Sequence, residues 1–221
     1  MSTPTDSSST TARESEPRSA TRNLRSLGAE VDRRVRRLQR AYLANASSTA
    51  RATLAHLRNA ATAEPGSVPS IWELTIADLP GSPTSTTATA TREERAAHTA
   101  LTLYATHQQS RTIAMHEPGI GFGQAVNRLA PKDDGRRDAV RRRFDAVATA
   151  SSFAECAHHL RGLVGQLRGA SISLDYGQLA DDLVALQDPR TSDSVRLRWA
   201  RQYYRTTIAP AVDTPATTKD A

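Results

Sequence analysis

The residues best equipped for chemistry in this 221-residue sequence fall in three places. Cys156, His158 and His159 offer sulfur and imidazole ligands. Helical neighbours at i and i+1 diverge by about 100°, so the two histidines cannot chelate one ion together. The six histidines include no i,i+4 pair. A small buried cysteine beside two partly exposed histidines is the expected arrangement. Gly119, Gly121 and Gly123 suggest a phosphate loop. No Lys-Ser/Thr pair follows for a Walker loop, and the third glycine falls one place early for the dinucleotide fingerprint. The run reads as a hinge before a helix. Asp175, Asp181, Asp182, Asp188 and Asp193 suggest a two-metal nuclease, which needs carboxylates converging from several elements. Three of these are cap or turn residues, and Asp181–Asp182 are expected on the solvated outer face of one helix. No catalytic residue, cofactor or metal site is expected.

The arginines survive the same scrutiny better. Lys132 and Lys219 are the only lysines among 29 basic residues, and the formal net charge is +6. Guanidinium forks suit phosphate oxygens. The charge is also segregated. Residues 23–45 hold six Arg against Glu30 and Asp32, and 195–205 hold Arg196, Arg198, Arg201 and Arg205 with no acid. Residues 128–143 hold seven bases against three acids, while 171–193 hold five Asp and only Arg190. Such segregation points to a polyanion partner. Arg198, Arg201 and Arg205 fall within about 60° of one another on a helix and predict a phosphate track. Arg141, Arg142 and Arg143 fan over about 200°, so they cannot all reach one strand. Arg142 is expected to pair with Asp138 or Asp145. The candidate nucleic-acid contacts are Arg33, Arg36, Arg37, Arg40, Arg137, Arg141, Arg143, Arg161, Arg168, Arg198, Arg201 and Arg205.

The elements that must position these residues read as helices almost throughout. Leu24, Leu27, Val31, Val35, Leu38 and Tyr42 form a stripe about 80° wide, with Arg22, Arg33, Arg36, Arg37 and Arg40 opposite. Ser47–Ser48 cap a second helix, stopped by Glu64-Pro65-Gly66. Ile71, Trp72, Leu74, Ile76 and Leu79 are too dense in apolar residues for surface. Residues 80–91 are a loop by composition. A helix runs from Arg92 to about Ser110 with Ala97, Leu101, Tyr104 and Ala105 inward, and a short one from Gly123 to Ala130. Asp133 or Asp134 caps the next, which turns Val140, Phe144 and Val147 inward. Ser152 with Glu155 forms a capping box. Asp175 caps a helix that Asp188-Pro189 stops, and Ser192 caps the last, with Val195, Trp199 and Tyr203 inside.

The fold class is therefore all-α: two packed helical subdomains, at 23–115 and 116–210, the second a compact helical bundle. Residues 1–22 and 211–221 read as disordered tails. No stretch is apolar enough to span a membrane, and the N-terminus lacks the apolar core of a secretory signal. One cysteine excludes an internal disulfide. A cytoplasmic location is expected.

The C-terminal half carries GFGQAVNRLA, RRDAVRRRFDAVATA, HHLRGLVGQLR, ISLDYGQLADDLVALQDP and VRLRWARQYYR in order. ALTLYATHQQSR followed by MH lies upstream. No single piece is specific, but the ordered set closely resembles the small subunit of type I-E CRISPR interference complexes, the CasB family of Cascade. The resemblance spans about residues 92–205, and more weakly 24–80. It implies an all-helical protein without catalytic activity or cofactor, present as two copies along the belly of the complex. Its implied partners are the guide RNA, the target DNA with its displaced strand, the backbone subunits, the large subunit and a second copy of itself. Its implied task is to hold the guide–target heteroduplex open and stabilise the displaced strand. R-loop formation is a near-balanced exchange of duplexes, so a few backbone contacts can tip it.

Three other readings fit less well. A helical DNA-binding regulator needs a recognition helix rich in Asn, Gln or Arg at its start, and the helix beginning Phe153-Ala154-Glu155-Cys156 is poor in these. A nuclease would depend on Asp181 or Asp182. Membrane association of the 24–43 helix lacks a Trp or Phe anchor.

Overall fold

Short polar side chains set most of the helix starts in the computed structural model, which describes residues 23–45, 47–81, 89–130 and 134–205. Helix α1 (Ser26–Asn45) is followed by α2 (Ser48–Asn59), where the Ser47 side chain accepts from the N–H of Ala50. A 3-10 turn (Pro69–Ile71) leads into the single-turn α3 (Trp72–Thr75). A full capping box between Thr91 and Glu94 opens α4 (Arg92–Gln108). Then come α5 (Phe122–Leu129), α6 (Asp134–Ala148), α7 (Phe153–Ala170), α8 (Tyr176–Leu186) and α9 (Pro189–Tyr204). The described residues form no strand; one isolated parallel bridge joins His116 to Leu174. None of their helices is long and apolar enough to cross a membrane. The predicted tails, most of the 80–91 loop, Arg22 and Asp133 lie outside the described residues, while Asp134, the other cap candidate, is the first residue of α6.

Helix α4 is the axis of the molecule. It packs against α1, α2, α7 and α8. The expected inner face of Ala97, Leu101, Tyr104 and Ala105 is buried, but so are Ala96, His98, Thr99, Ala100, Thr102, Leu103, His107 and Gln108. A helix surrounded on all sides needs small or self-satisfied side chains. Alanines supply the first, and the Thr102 hydroxyl donates to the carbonyl of His98 at 2.8 Å as an example of the second.

Around this axis one contiguous core runs from Leu27, Val31, Val35 and Leu38 of α1 to Val195, Trp199 and Tyr203 of α9. The end formed by α5, α6 and α9 is aromatic. The Phe122 and Trp199 rings lie 4.7 Å apart edge-on, and those of Phe144 and Tyr203 stack at 4.9 Å. Helices α5 and α9 approach so closely that a Cβ on Gly123 would sit 2.0 Å from the Trp199 carbonyl oxygen. The glycine run thus has packing work: Gly119 takes φ +88, and Gly123 lets two helices touch.

Four expectations change. Helix α9 starts at Pro189 under an Asp188 cap, not at Ser192, because Asp188-Pro189 stops α8 and opens α9 at once. Only half of the Ser152 capping box forms: Ser152 accepts from the Glu155 N–H, while the Glu155 carboxylate takes the N–H of Ser151. Trp72 is 48% exposed although Ile71, Leu74 and Leu79 are buried, because a single turn of helix turns only part of its residues inward. Asp145 lies 3.8 Å from Arg141, the i,i+4 partner, instead of Arg142.

Candidate nucleic-acid interface

The two aspartates expected on a solvated face are instead the joint of the molecule. Asp182 is buried, with its carboxylate accepting from the Trp199 indole N–H at 2.6 Å and from the Arg198 guanidinium. Asp181, one residue earlier, caps α1 from outside that helix, accepting from the N–H groups of Arg25 at 2.7 Å and Gly28 at 2.8 Å. A side chain on Gly28 would collide with it, the built Cβ lying 2.3 Å from the carboxylate. Helix α8 therefore clasps α9 with one aspartate and α1 with the other. Burial pushes both carboxyls up, Asp182 to about 6 against the pull of Arg198 and the Trp199 indole.

This joint sorts the twelve candidate arginines. On α1, Arg33, Arg36, Arg37 and Arg40 are all exposed, as the helical phase predicts. Arg33 makes a two-point contact with Glu30 at 2.6 and 2.9 Å, and Arg36 reaches Asp32 at 3.0 Å. Arg37 and Arg40 meet no acid among the described residues. The inward arginine of the same helix, Arg34, is buried and donates to the carbonyls of Leu74 and Ala77 at 2.6 and 2.7 Å, with Glu30 beside it. It pins α3 to α1. On α6, Arg137, Arg141 and Arg143 are exposed.

The α9 track is broken. Arg201 and Arg205 are exposed, but Arg198 is held by Asp182. Arg161 and Arg168 are half-buried ties. Arg161 donates to the carbonyl of Ala61 beyond the end of α2, and Arg168 to the Gln109 side chain at 2.7 Å. Nine of the candidates thus face solvent, Arg33, Arg36 and Arg141 among them beside an acid of their own helix, and Arg161, Arg168 and Arg198 are half-buried and tied to other elements.

A polar centre that sequence reasoning missed lies beneath the α1 face. The ligand atoms of Asp32, His116 and Asp175 lie within 4.8 Å of one another. The His116 Nε2 donates to Asp32 at 2.8 Å, and its Nδ1 accepts from the N–H of Tyr176 at 3.2 Å. Asp175 accepts from the N–H groups of Gly119 at 2.8 Å and Gln178 at 3.0 Å. Both imidazole nitrogens are taken by the chain, so the cluster is a brace between α1, the 115–120 segment and α8 and offers no imidazole lone pair to a cation. Deeper still, the His107 Nδ1 lies 2.9 Å from the Tyr176 hydroxyl, and burial pushes this histidine down to about 4. The only local sign of these sites is a histidine inside or beside a helix. Nothing in the spacing marks their partners, which lie 60 to 84 residues away in sequence. Cys156 is buried, its thiol pushed up to about 12, while His158 is exposed and His159 half-buried, as expected.

Comparison with known proteins agrees with this architecture. The profile of the CRISPR-associated protein Cse2 family matches residues 53–204. The crystal structure of CasB from Thermobifida fusca is 38% identical, with a TM-score of 0.68, over 82% of this chain and 99% of that one. A Cse2-family protein from Thermus thermophilus, at 24% identity and a TM-score of 0.61, shares the fold over 82% of this chain and all of its own. A chain of a CRISPR RNA-guided surveillance complex, at 20% identity and a TM-score of 0.62, shares it over 81% and 94%. No curated protein sequence matches significantly. With the family profile covering most of its length and a relative at 38% identity matching nearly end to end, the chain belongs to the Cse2 (CasB) family of CRISPR-associated proteins.

Proposed function

We propose that this chain is the non-catalytic small subunit of a type I-E RNA-guided surveillance complex, acting in antiviral defence in the cytoplasm. It stabilises the R-loop by contacts to nucleic-acid backbone that ignore base sequence. Its partners are guide RNA, target DNA and its displaced strand, the backbone and large subunits, and a second copy of itself. Family membership and the likeness to a surveillance-complex chain support this reading.

The observation that carries it is the exposed face of α1. Arg33, Arg36, Arg37 and Arg40 follow at i, i+3, i+4 and i+7, a row about 10 Å long. Two of them have no acid to neutralise them within the described chain. Arginines held on a rigid helix contact phosphates without reading bases. At the end of α9, Tyr204 is 57% exposed between Arg201 and Arg205 in the chain. An exposed ring beside guanidinia stacks an unpaired base whatever its identity, which suits a displaced strand.

Binding of the pure chain to fluorescent single-stranded and duplex DNA across a salt series, with magnesium present, tests the proposal. Binding that weakens steeply with salt, without cleavage or sequence preference, is expected. Footprinting on one palindromic site would favour a sequence-reading regulator. Magnesium-dependent cleavage would overturn the non-catalytic assignment.

A further inference from the structure

A cleft of about 740 Å3 opens where the chain beyond α2, the start of α4, the ends of α6 and α8, the start of α7 and one residue of α9 meet. No residue of α1 lines it, so it is separate from the interface proposed above and does not depend on it. Three arginines reach it from three helices: Arg95, Arg161 and Arg196. Each is half-buried, Arg95 and Arg161 being anchored at one point and Arg196 at several. The Arg95 Nε donates to the Gln187 side chain at 2.7 Å, Arg161 donates to the Ala61 carbonyl, and the Arg196 Nε donates to the Ala148 carbonyl at 2.7 Å. Arg196 also meets Asp193 at 2.9 Å. Neither Arg95 nor Arg161 meets a carboxylate among the described residues. Glu64 is the one acid among the residues lining the cleft, against three arginines.

Half-buried guanidinia without carboxylates are costly to keep, and the single anchors of Arg95 and Arg161 leave the remaining N–H groups of those two forks available. Phe153 and Ala154 also line the cleft, and their N–H groups, in the first turn of α7, have no intrahelical acceptor. Val147, Leu186 and the Phe153 ring supply an apolar wall. The volume suits a small organic ligand and is far larger than a phosphate ion needs.

We propose that this cleft binds a nucleoside phosphate, with the phosphate on Arg95 and Arg161 and the base against the apolar wall. The phosphate comes either from a free nucleotide or from the end of a nucleic-acid strand. The test is thermal unfolding of the full chain with adenosine monophosphate, at constant ionic strength set by chloride. The expected rise in Tm is about 3–6 °C at a tenfold excess over Kd. Arg95→Gln should abolish that rise. So should Ala154→Glu, which puts a carboxylate at an exposed position on the rim and favours the helix start, so it should fold. If the nucleotide gives no rise, or the same rise in both variants, the proposal is wrong. An equal rise from inorganic phosphate alone would remove the nucleoside from it. Single-stranded DNA that displaces the nucleotide from the wild-type chain assigns the phosphate to a strand terminus. A nucleotide shift that persists in its presence assigns it to the free molecule.

Discussion

Helices α1 and α9 each carry a row of arginines at helical spacing, and the two rows have different fates. On α1 the four outward arginines point to solvent, and the inward one, Arg34, ties α3 in place. On α9 the row Arg198, Arg201 and Arg205 is phased just as well, yet its first member is bound to Asp182 of the helix packed beside it. Helical phase tells which side chains share a face. Whether a neighbouring helix brings a carboxylate to that face depends on docking, and α8 brings one to α9 and turns its other aspartate to the end of α1.

Four measurements break or sharpen this contrast. Trp199→Ala removes a fully buried ring and the donor to Asp182, and should cost about 3–5 kcal/mol in urea unfolding. A small loss would show that the α5–α9 contact adds little.

The next largest effect is pH-dependent. The Asp182 carboxyl is raised from 3.8 to about 6 by burial. The unfolded chain therefore releases this proton more readily, and the group's contribution, full below about pH 4, is lost as pH rises through about 6. Relative to Asp182→Asn, the wild-type chain should lose about 2–3 kcal/mol of stability between pH 4 and pH 7. His107, pushed down to about 4, acts in the opposite sense, losing stability as pH falls from about 6.5 to 4. The Asp182→Asn comparison cancels it. A constant difference across that range would mean that Arg198 alone keeps Asp182 ionised.

Arg198→Ala leaves Asp182 with only the indole donor. It should destabilise by about 1–3 kcal/mol, discounted because the arginine is 41% exposed, and leave the salt slope of DNA binding unchanged. A reduced slope with intact stability would return Arg198 to the phosphate track. Arg37→Ala with Arg40→Ala is the mirror case. Stability should move by no more than about 0.5 kcal/mol, while the slope on single-stranded DNA falls by about 1.4. An unchanged slope would place the nucleic acid elsewhere, on α6 or the α9 end.

Much of the fold was legible without coordinates because its signals are local. The Ser47 and Asp175 caps, the α1 stripe and the inward Val140, Phe144 and Val147 follow from spacing and side-chain chemistry alone. The α9 start is not fixed by spacing, because Asp188-Pro189 both stops α8 and opens α9. The exposed α1 arginines were legible because their face is decided by one helix. Arg161, Arg168 and Arg198 were not, since their partners lie 100, 59 and 16 residues away.

What this sequence determined by itself is an all-helical chain with segregated arginines and the ordered pieces of a known family. Periodicity, capping and composition act over a few residues and do not wait for packing. What only the tertiary structure decided is which charges survive at the surface. Desolvation and pairing depend on the angle and register at which helices meet. That is why adjacent aspartates of α8, alike in sequence, end up capping one helix and clasping another.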